Sequence, residues 1–530
     1  MRINPNRSCG VLLHITSLPS PYGIGTLGKS AYEFVDFLAA ANQKYWQILP
    51  IGPIGFGNSP YQSYSAFAGE PLLIDLADLT DQGLLARTSC DELDFGFDLS
   101  FVDYSKIIPL KMKLLETAFS AFLALELDKS AEYKAFVKAE EDWLDDYSVF
   151  MAAKEASDGR VWTEWNPDID PDSDEMVRRI EFWNFTQYIF FGQWERLRAH
   201  ANANGVKLIG DIPIYAAHDS ADVWTSSDLF CLDDDGYPTA VAGVPPDYFS
   251  VTGQLWGNPL YNWDAMEESG FDWWVARFRK AAQLFDGVRI DHFRAFDTYY
   301  AVPYGHKTAE NGEWLLGPGM KLFDALVAAG VIELPADRPP PKPRDPFVEV
   351  DEDEEEEEEV YEEKFKIIAE DLGELFPSVR ELLGRTGFPG MRILQFGFNH
   401  TGADSEHLPH NYANNTVAYT GTHDNSTING FVKTVHLNYR AQIHEMAKRY
   451  TAPQMGEPLN VACVRTLYAS VADTVIVQAQ DLLGLDDKAR MNQPGKVLDT
   501  NWAWRMTEKH MAVLNRQAEK IRELTEIYFR

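Results

Sequence analysis

The sequence has few cysteines, no long apolar stretch and a shortage of basic residues. Four cysteines are scattered over 530 residues with no C-x-x-C pair, which argues against a zinc site or a disulfide-rich secreted domain. The apolar run near the N-terminus covers only residues 11–15, too few for a signal peptide, and no 18-residue apolar stretch predicts a membrane span. The net charge of −34 argues against nucleic-acid and anionic-membrane partners. We therefore expect a soluble intracellular protein without a metal site.

Eight short apolar segments recur along the chain, each ending in polar or glycine-rich sequence. They cover residues 10–15, 46–51, 207–215, 287–293, 366–372, 391–396, 415–424 and 474–482. Continuous apolar runs of this length are typical of parallel strands buried on both faces. Helical patterns lie between many of them, so the expected fold class is α/β, a (β/α)8 TIM barrel. A doubly wound sheet is the alternative, but no G-x-G-x-x-G motif follows any of these strands.

Insertions interrupt this alternation of strands and helices. We expect residues 1–530 to form a single barrel, with a mainly helical subdomain inserted at about 57–200 and a loop region covering the site at about 221–275. Residues 335–364 begin with prolines, and residues 351–359 are all Asp or Glu. Such a run repels itself and buries nothing, which favours a solvated, flexible insertion. A regulatory or partner-binding loop is the alternative.

Several predicted strands end in carboxylates, which are costly to bury unless they are paired. The residues are Asp211, Asp291, Glu370 and Asp424. In a (β/α)8 barrel, catalytic groups lie at the C-terminal ends of the strands. Arg289 lies two residues before Asp291, on the same face of its strand, where it can pair with that carboxylate. Paired carboxylates without a nucleotide loop or a Cys or Ser nucleophile motif are typical of glycoside chemistry. The alternative is a set of buried ion pairs that closes the barrel.

Two loops have the composition of a carbohydrate site. Residues 55–69 and 241–263 combine Gly and Pro with aromatic, amide and hydroxyl side chains. Rigid aromatic rings beside polar groups match the C–H faces and hydroxyl rims of sugars. Ordinary loop packing is the alternative for any one of these aromatic residues.

Eight segments, spread over nearly the whole chain, carry a resemblance to a known family. They are GVLLHITSLPSPYGIGTLG, SPYQSYSAFAG, GDIPIYAAHDSADVW, VAGVPPDYFSVTGQLWGNPLY, GVRIDHFRAF, IAEDLG, YTGTHDN and NQPGKVLDTNWAWR. In this order they resemble the 4-alpha-glucanotransferases, also called amylomaltases or disproportionating enzymes, of the alpha-amylase-like clan. The resemblance implies a barrel with insertions around its rim and transfer of α-1,4-glucan segments to the 4-hydroxyl of another glucan or of glucose. It implies a retaining double displacement through a covalent intermediate, no cofactor, and maltooligosaccharides and α-1,4-glucans as partners. The implied location is the cytoplasm, or a plastid if a transit peptide has been removed.

The resemblance also implies a role for each matching residue. Asp291 matches the nucleophile, Glu370 the acid/base, whose pKa we expect to be raised, and Asp424 the acid that holds the donor sugar. The implied substrate-binding residues are Arg289, His423, Tyr61, Ser59, Asp211, Asp247, Gln254, Trp256 and Asn425. Two alternatives stay open. An α-1,4-glucan hydrolase uses the same carboxylates and differs in whether water reaches the intermediate, and a non-catalytic scaffold only binds glucan.

Overall fold

The computed structural model describes most of the chain. The described residues are 7–91, 93–96, 98–166, 169–246, 250–337, 365–373, 375–398, 403–434 and 440–530. Two predictions therefore fall outside the described residues: the role of Asp247 and the flexibility of the acidic segment from residue 338 onward.

The described residues contain twelve strands in two sheets. The strands are β1 Ser8–Leu12, β2 Tyr45–Gln47, β3 Lys207–Ile212, β4 Ala240–Val244, β5 Gln254–Pro259, β6 Gly287–Ile290, β7 Thr298–Pro303, β8 Glu313–Leu316, β9 Lys366–Ala369, β10 Gly390–Ile393, β11 Thr416–Tyr419 and β12 Thr474–Gln478. Strands β1, β2, β3, β6, β9, β10, β11 and β12 pair in parallel and in chain order, and β12 pairs with β1 to close a barrel. The eight apolar segments identified in the sequence supply these eight strands, so the predicted barrel is confirmed.

Helices lie between the strands and form much of the insertion that follows β2. The helices are α1 Lys29–Ala40, α2 Leu76–Asp81, α3 Arg87–Asp91, α4 Tyr104–Ala124, α5 Ala131–Ala139, α6 Glu141–Ala156, α7 Asp174–Ala203, α8 Ala221–Thr225, α9 Trp263–Glu268, α10 Asp272–Leu284, α11 Met320–Ala328, α12 Pro377–Thr386, α13 Leu394–Gly397, α14 Ile428–Thr434, α15 Arg440–Thr451, α16 Leu459–Ala469, α17 Ala479–Leu482 and α18 Glu508–Ile527. Helix α7 begins where the Ser173 hydroxyl accepts the Met176 N–H, which satisfies a backbone donor that the helix leaves unpaired.

The second sheet is antiparallel and was not predicted from the sequence. Its strand order is β5-β4-β7-β8, and β7 begins two residues after the turn that follows β6. Strands β4 and β5 fall within the region expected to be covering loops. Their glycines and prolines hide the alternation of apolar and polar residues by which such strands are recognised.

The barrel strands are buried on both faces, which explains their continuous apolar sequences. Leu12, Ile209, Ile368, Met391 and Val417 belong to a cluster that fills the barrel interior. Their neighbours along the strands pack outward against the helices in two further clusters. This two-sided packing fixes the register of the strands, and the register sets the height at which each strand presents its terminal residues.

We predict that Gly10 is required for the pairing of β1 with β2. Gly10 pairs with Tyr45, and a Cβ at Gly10 would lie 2.6 Å from the Tyr45 Cβ and closer still to its carbonyl oxygen. Gly10→Ala should therefore lower the free energy of unfolding by about 1–3 kcal/mol, as overpacking of a core does. Denaturant unfolding measures this effect.

Gly384→Ala is the matched control. Gly384 lies in α12, and a Cβ added there would meet no atom within 4 Å. Alanine should therefore leave the stability equal or raise it by about 0.5–1 kcal/mol, because it is the better helix former. Equal stabilities for the two variants would contradict the packing argument.

Candidate active site

One arginine side chain holds the acidic residues together at the C-terminal end of the barrel. Arg289 in β6 is the direct neighbour of Asp211 in β3, and its Nη1 donates to both Asp211 oxygens at 2.9 and 2.7 Å. Its Nη2 donates to Asp291 Oδ1 at 2.7 Å and lies 3.6 Å from Glu370 Oε2. Charge-assisted bonds of this kind offset the cost of removing the charges from water. The pairing of Arg289 with Asp291, predicted from their spacing, is present.

Glu370 is placed by the backbone of the neighbouring strand. Its own N–H donates to the Ile290 carbonyl at 3.0 Å, and its Oε2 accepts the His292 N–H at 2.6 Å. His292 has a φ of 53°, and this left-handed conformation turns the chain sharply just beyond Asp291. Burial raises the pKa of the Glu370 carboxyl, Arg289 opposes the rise, and the nearby Asp291 adds to it. A carboxyl with a raised pKa can donate a proton near neutral pH.

Aromatic rings form one wall of the site. The Tyr61 hydroxyl donates to Asp211 Oδ2 at 2.7 Å, and its ring stacks on the His423 imidazole with centroids 5.1 Å apart. The Trp502 indole lies 5.6 Å from Tyr61 and 5.8 Å from His423. Burial lowers the pKa of His423, although Asp424 opposes this, so the ring favours its neutral form.

Asp424 is held by two residues that sequence reasoning did not single out. The Asn492 side-chain amide donates to Asp424 Oδ1 at 2.6 Å, and Arg490 Nη2 donates to the Asp424 carbonyl at 2.5 Å. His423 Nε2 lies 3.4 Å from the same carboxylate oxygen. Asn492 opens the NQPG motif, which the resemblance included, but its side-chain role depends on tertiary contact and not on spacing.

The remaining predicted residues lie around this cluster, in the loop after β2 and in strand β5. The Ser59 hydroxyl accepts the Tyr61 N–H at 3.2 Å. The Trp256 indole donates to Gln254 Oε1 at 3.3 Å and meets the His292 ring edge-on, with centroids 4.8 Å apart. The contact of Trp256 with His292, together with that of Tyr61 with Asp211, brings both segments to the acidic cluster.

Asn425 is committed to its own turn. Its side-chain oxygen accepts hydrogen bonds from the Thr422 N–H at 2.8 Å and from the Thr422 hydroxyl at 2.9 Å. This arrangement orients the loop that carries His423 and Asp424. Its implied contact with substrate stays a prediction.

Metal-binding clusters and membrane-spanning helices are both missing from the described part of the chain. Among the residues that the structure describes, no group of three or more His, Cys, Asp or Glu side chains is arranged to hold a metal ion. No helix in the described ranges has the length and apolarity needed to cross a membrane.

Comparison with known proteins identifies the family of this site. The family described as 4-alpha-glucanotransferase matches residues 13–511. The chain belongs to this family. It is 44% identical to the 4-alpha-glucanotransferase of Clostridium butyricum, over 98% of this chain and 100% of the relative. It is 41% identical to the 4-alpha-glucanotransferase of Thermus thermophilus, over 98% of this chain and 99% of the relative.

A solved family member has the same fold. The amylomaltase from Streptococcus agalactiae in complex with acarbose aligns with a TM-score of 0.87 and 39% identity, covering 99% of each chain. The predicted family, the barrel and the kind of enzyme are thereby confirmed. The roles of individual site residues stay predictions.

We predict that Glu370 makes the protein less stable as pH rises. Because the pKa of buried Glu370 is raised, the folded protein holds this proton more tightly than the unfolded chain, so the free energy of unfolding falls above the ordinary Glu value of about 4.3. Glu370→Gln cannot lose a proton. The stability of this variant relative to the wild type should therefore increase from about pH 5 to about pH 8. The difference in the free energy of unfolding should grow by up to roughly 1.4 kcal/mol per pH unit, and the melting temperature should rise with it.

Calorimetry over this pH range measures the difference. Glu519→Gln, at an exposed position in α18, is the matched control and should show a constant difference from the wild type. A constant difference for Glu370→Gln would mean that its pKa is the same in the folded and unfolded states.

Proposed function

We propose that this chain is a 4-alpha-glucanotransferase that moves a segment of an α-1,4-glucan to the 4-hydroxyl of an acceptor glucan or glucose. The observation that carries the proposal is the position of Arg289 Nη2, 2.7 Å from Asp291 Oδ1 and 3.6 Å from Glu370 Oε2. Both carboxyls therefore lie beside one nitrogen atom, and this close approach supports a retaining mechanism, in which the two carboxyl groups are about 5–5.5 Å apart.

In the first step, an Asp291 oxygen forms a bond to the anomeric carbon of the donor glucan while the glycosidic bond breaks. Glu370 gives its proton to the departing 4-oxygen, which leaves as a shortened glucan with a free hydroxyl. In the second step, Glu370 takes the proton from the acceptor 4-hydroxyl, the acceptor oxygen bonds to the anomeric carbon, and Asp291 is released. The raised pKa of Glu370 suits both transfers.

The surrounding residues bind the donor sugar in this proposal. Asp424, oriented by Asn492, accepts hydrogen bonds from its hydroxyls, and Arg289, which Asp211 holds in place, donates to Asp291. The stacked rings of Tyr61 and His423 contact the apolar face of the sugar. Asp247, Gln254 and Asn425 are proposed to bind substrate, on the family resemblance alone.

The position of strand β5 next to the site supports transfer over hydrolysis. Trp256 in β5 contacts the ring of His292, whose backbone N–H binds Glu370, and from this position it can exclude water from the covalent intermediate. A plain hydrolase needs free access of water at this stage. We propose a cytoplasmic location, as the bacterial relatives suggest, with the helical insertion and the acidic segment as additions to one catalytic barrel.

Incubation with maltotriose tests the function. The wild type should produce glucose together with a ladder of longer maltooligosaccharides, whereas glucose and maltose alone would indicate hydrolysis. Asp291→Asn should abolish the ladder in a folded protein. Glu370→Gln should lose at least about 10²-fold on maltotriose but should still react with a glycosyl fluoride donor, whose leaving group needs little acid.

Asn492→Ala tests the positioning of Asp424. Loss of a hydrogen bond to a charged group costs about 1.5–3 kcal/mol, so we expect roughly a tenfold to hundredfold loss in kcat/KM for maltotriose. Asn415→Ala is the matched control. Asn415 lies just before β11, and its side-chain amide donates a hydrogen bond to the Gly387 carbonyl, so this variant should act like the wild type. An equal effect of the two substitutions would contradict a positioning role.

A further inference from the structure

Four aromatic side chains from four separate segments form a row outside the carboxylate cluster. The residues of this aromatic row are Trp162, His218, Tyr237 and Tyr304. The centroids of neighbouring rings are 5.4, 6.3 and 6.2 Å apart. The last two pairs are nearly parallel, with interplanar angles of 27° and 28°.

Hydrogen bonds and a glycine turn fix the rings in place. The Trp162 indole donates to the His218 carbonyl at 2.8 Å, and His218 Nε2 donates to the Gly236 carbonyl at 2.8 Å. Gly236 has a φ of +82°, and a Cβ there would collide with the Trp162 ring. The Tyr304 N–H donates to the Thr239 carbonyl at 3.2 Å. The row is therefore organised before any ligand arrives, which lowers the entropy lost on binding.

The row lies on the same side of the barrel as the carboxylates. His218 comes six residues after the C-terminal end of β3, which limits its distance from that strand end to about 20 Å. Tyr237 precedes β4, and Tyr304 follows β7, the strand that pairs with β4. The other end of β4 leads to β5 and Trp256 beside the catalytic cluster. A glucan that extends several glucose units from the cluster can therefore reach the row.

The exposure and chemistry of the row fit a sugar chain. Tyr304 is 51% exposed, and the other three side chains are partly exposed. Partly exposed aromatic rings can pack against the C–H faces of glucose. Exposed charged residues of both signs adjoin the row in sequence: Asp233, Asp234 and Asp235 precede Tyr237, and Lys307 follows Tyr304. Such a mixture of donors and acceptors suits a neutral, hydroxyl-rich ligand better than an anion or a cation.

We infer that the aromatic row is a glucan-binding site separate from the carboxylate cluster, where a remote part of the same α-1,4-glucan binds. This inference rests on the proposed function for the identity of the polymer. Binding at the row raises the effective concentration of the chain at the catalytic cluster. Long glucans benefit, whereas maltotriose is too short to occupy both places.

The test compares the full-length wild type with the Tyr237→Ala/Tyr304→Ala double variant. In native gels containing glycogen, the double variant should migrate faster, with an apparent dissociation constant raised about tenfold, as expected for the loss of about 1.4 kcal/mol of stacking. Its kcat/KM for amylose should fall by a similar factor, and its kcat/KM for maltotriose should stay within about twofold of the wild type.

Two control variants isolate the aromatic faces. Tyr237→Phe/Tyr304→Phe keeps both rings and should retain the wild-type migration. Phe529→Ala removes an aromatic residue that is 61% exposed, next to Arg530, which bonds to the Ser8 carbonyl at the opposite end of the barrel. This variant should also migrate like the wild type.

Unchanged migration of the double alanine variant would overturn the inference, and so would an equal loss in Phe529→Ala. A parallel loss of maltotriose activity would overturn it as well, because the row would then act on the catalytic cluster itself. If the wild type does not disproportionate maltotriose, the proposed function fails, and the glycogen gel alone decides whether the row binds glucan.

Discussion

The site depends on the hydrogen bonds and ion pairs that the Arg289 guanidinium makes with the neighbouring carboxylates. Three carboxylates converge at the end of the barrel, and without a cation their burial and mutual repulsion would be prohibitive. Burial lowers the pKa of Arg289, but Asp211 and Asp291 offset this and raise it well above its ordinary value, so the side chain stays charged. Its hydrogen bonds go to Asp211 and Asp291, whereas Glu370 lies at 3.6 Å. Glu370 receives no hydrogen bond from Arg289, and burial raises its pKa, so this carboxyl can keep a proton.

The parallel barrel makes this arrangement possible. Arg289 pairs with Asp211 on one side and with Ile368 on the other, so the register of three adjacent strands brings their ends to one height. A shift of one residue in β6 would turn Arg289 away from the acids and bury Val288 or Ile290 among them. The apolar packing on both faces of the strands therefore specifies the electrostatics of the site.

The sequence correctly predicted the features that follow from a local pattern of residues. Buried parallel strands have continuous apolar sequences, and acids in or directly after their last residues must lie near the strand ends, which located Asp211, Asp291 and Glu370. It failed where contacts come from distant parts of the chain. The antiparallel sheet has no clear alternation, and the pairing of Asn492 with Asp424 joins residues 68 positions apart. The identities of the nucleophile and the acid came from resemblance to a family, since spacing alone does not distinguish one carboxylate from another.

The segment from Arg490 to Trp502 links the Asp424 carboxylate to the aromatic wall of the site. Near its start, the Asn492 N–H donates to the His423 carbonyl at 3.0 Å, and the Asn492 side chain holds Asp424. At its end, the Trp502 N–H returns to the Met491 carbonyl at 2.8 Å, and the Trp502 ring joins the wall formed by Tyr61 and His423. Because this hydrogen bond closes the loop on itself, its ends cannot move independently. Displacement of the loop would therefore shift Asp424 and the aromatic wall together, so the polar and apolar groups that we propose to bind the donor sugar move as one unit.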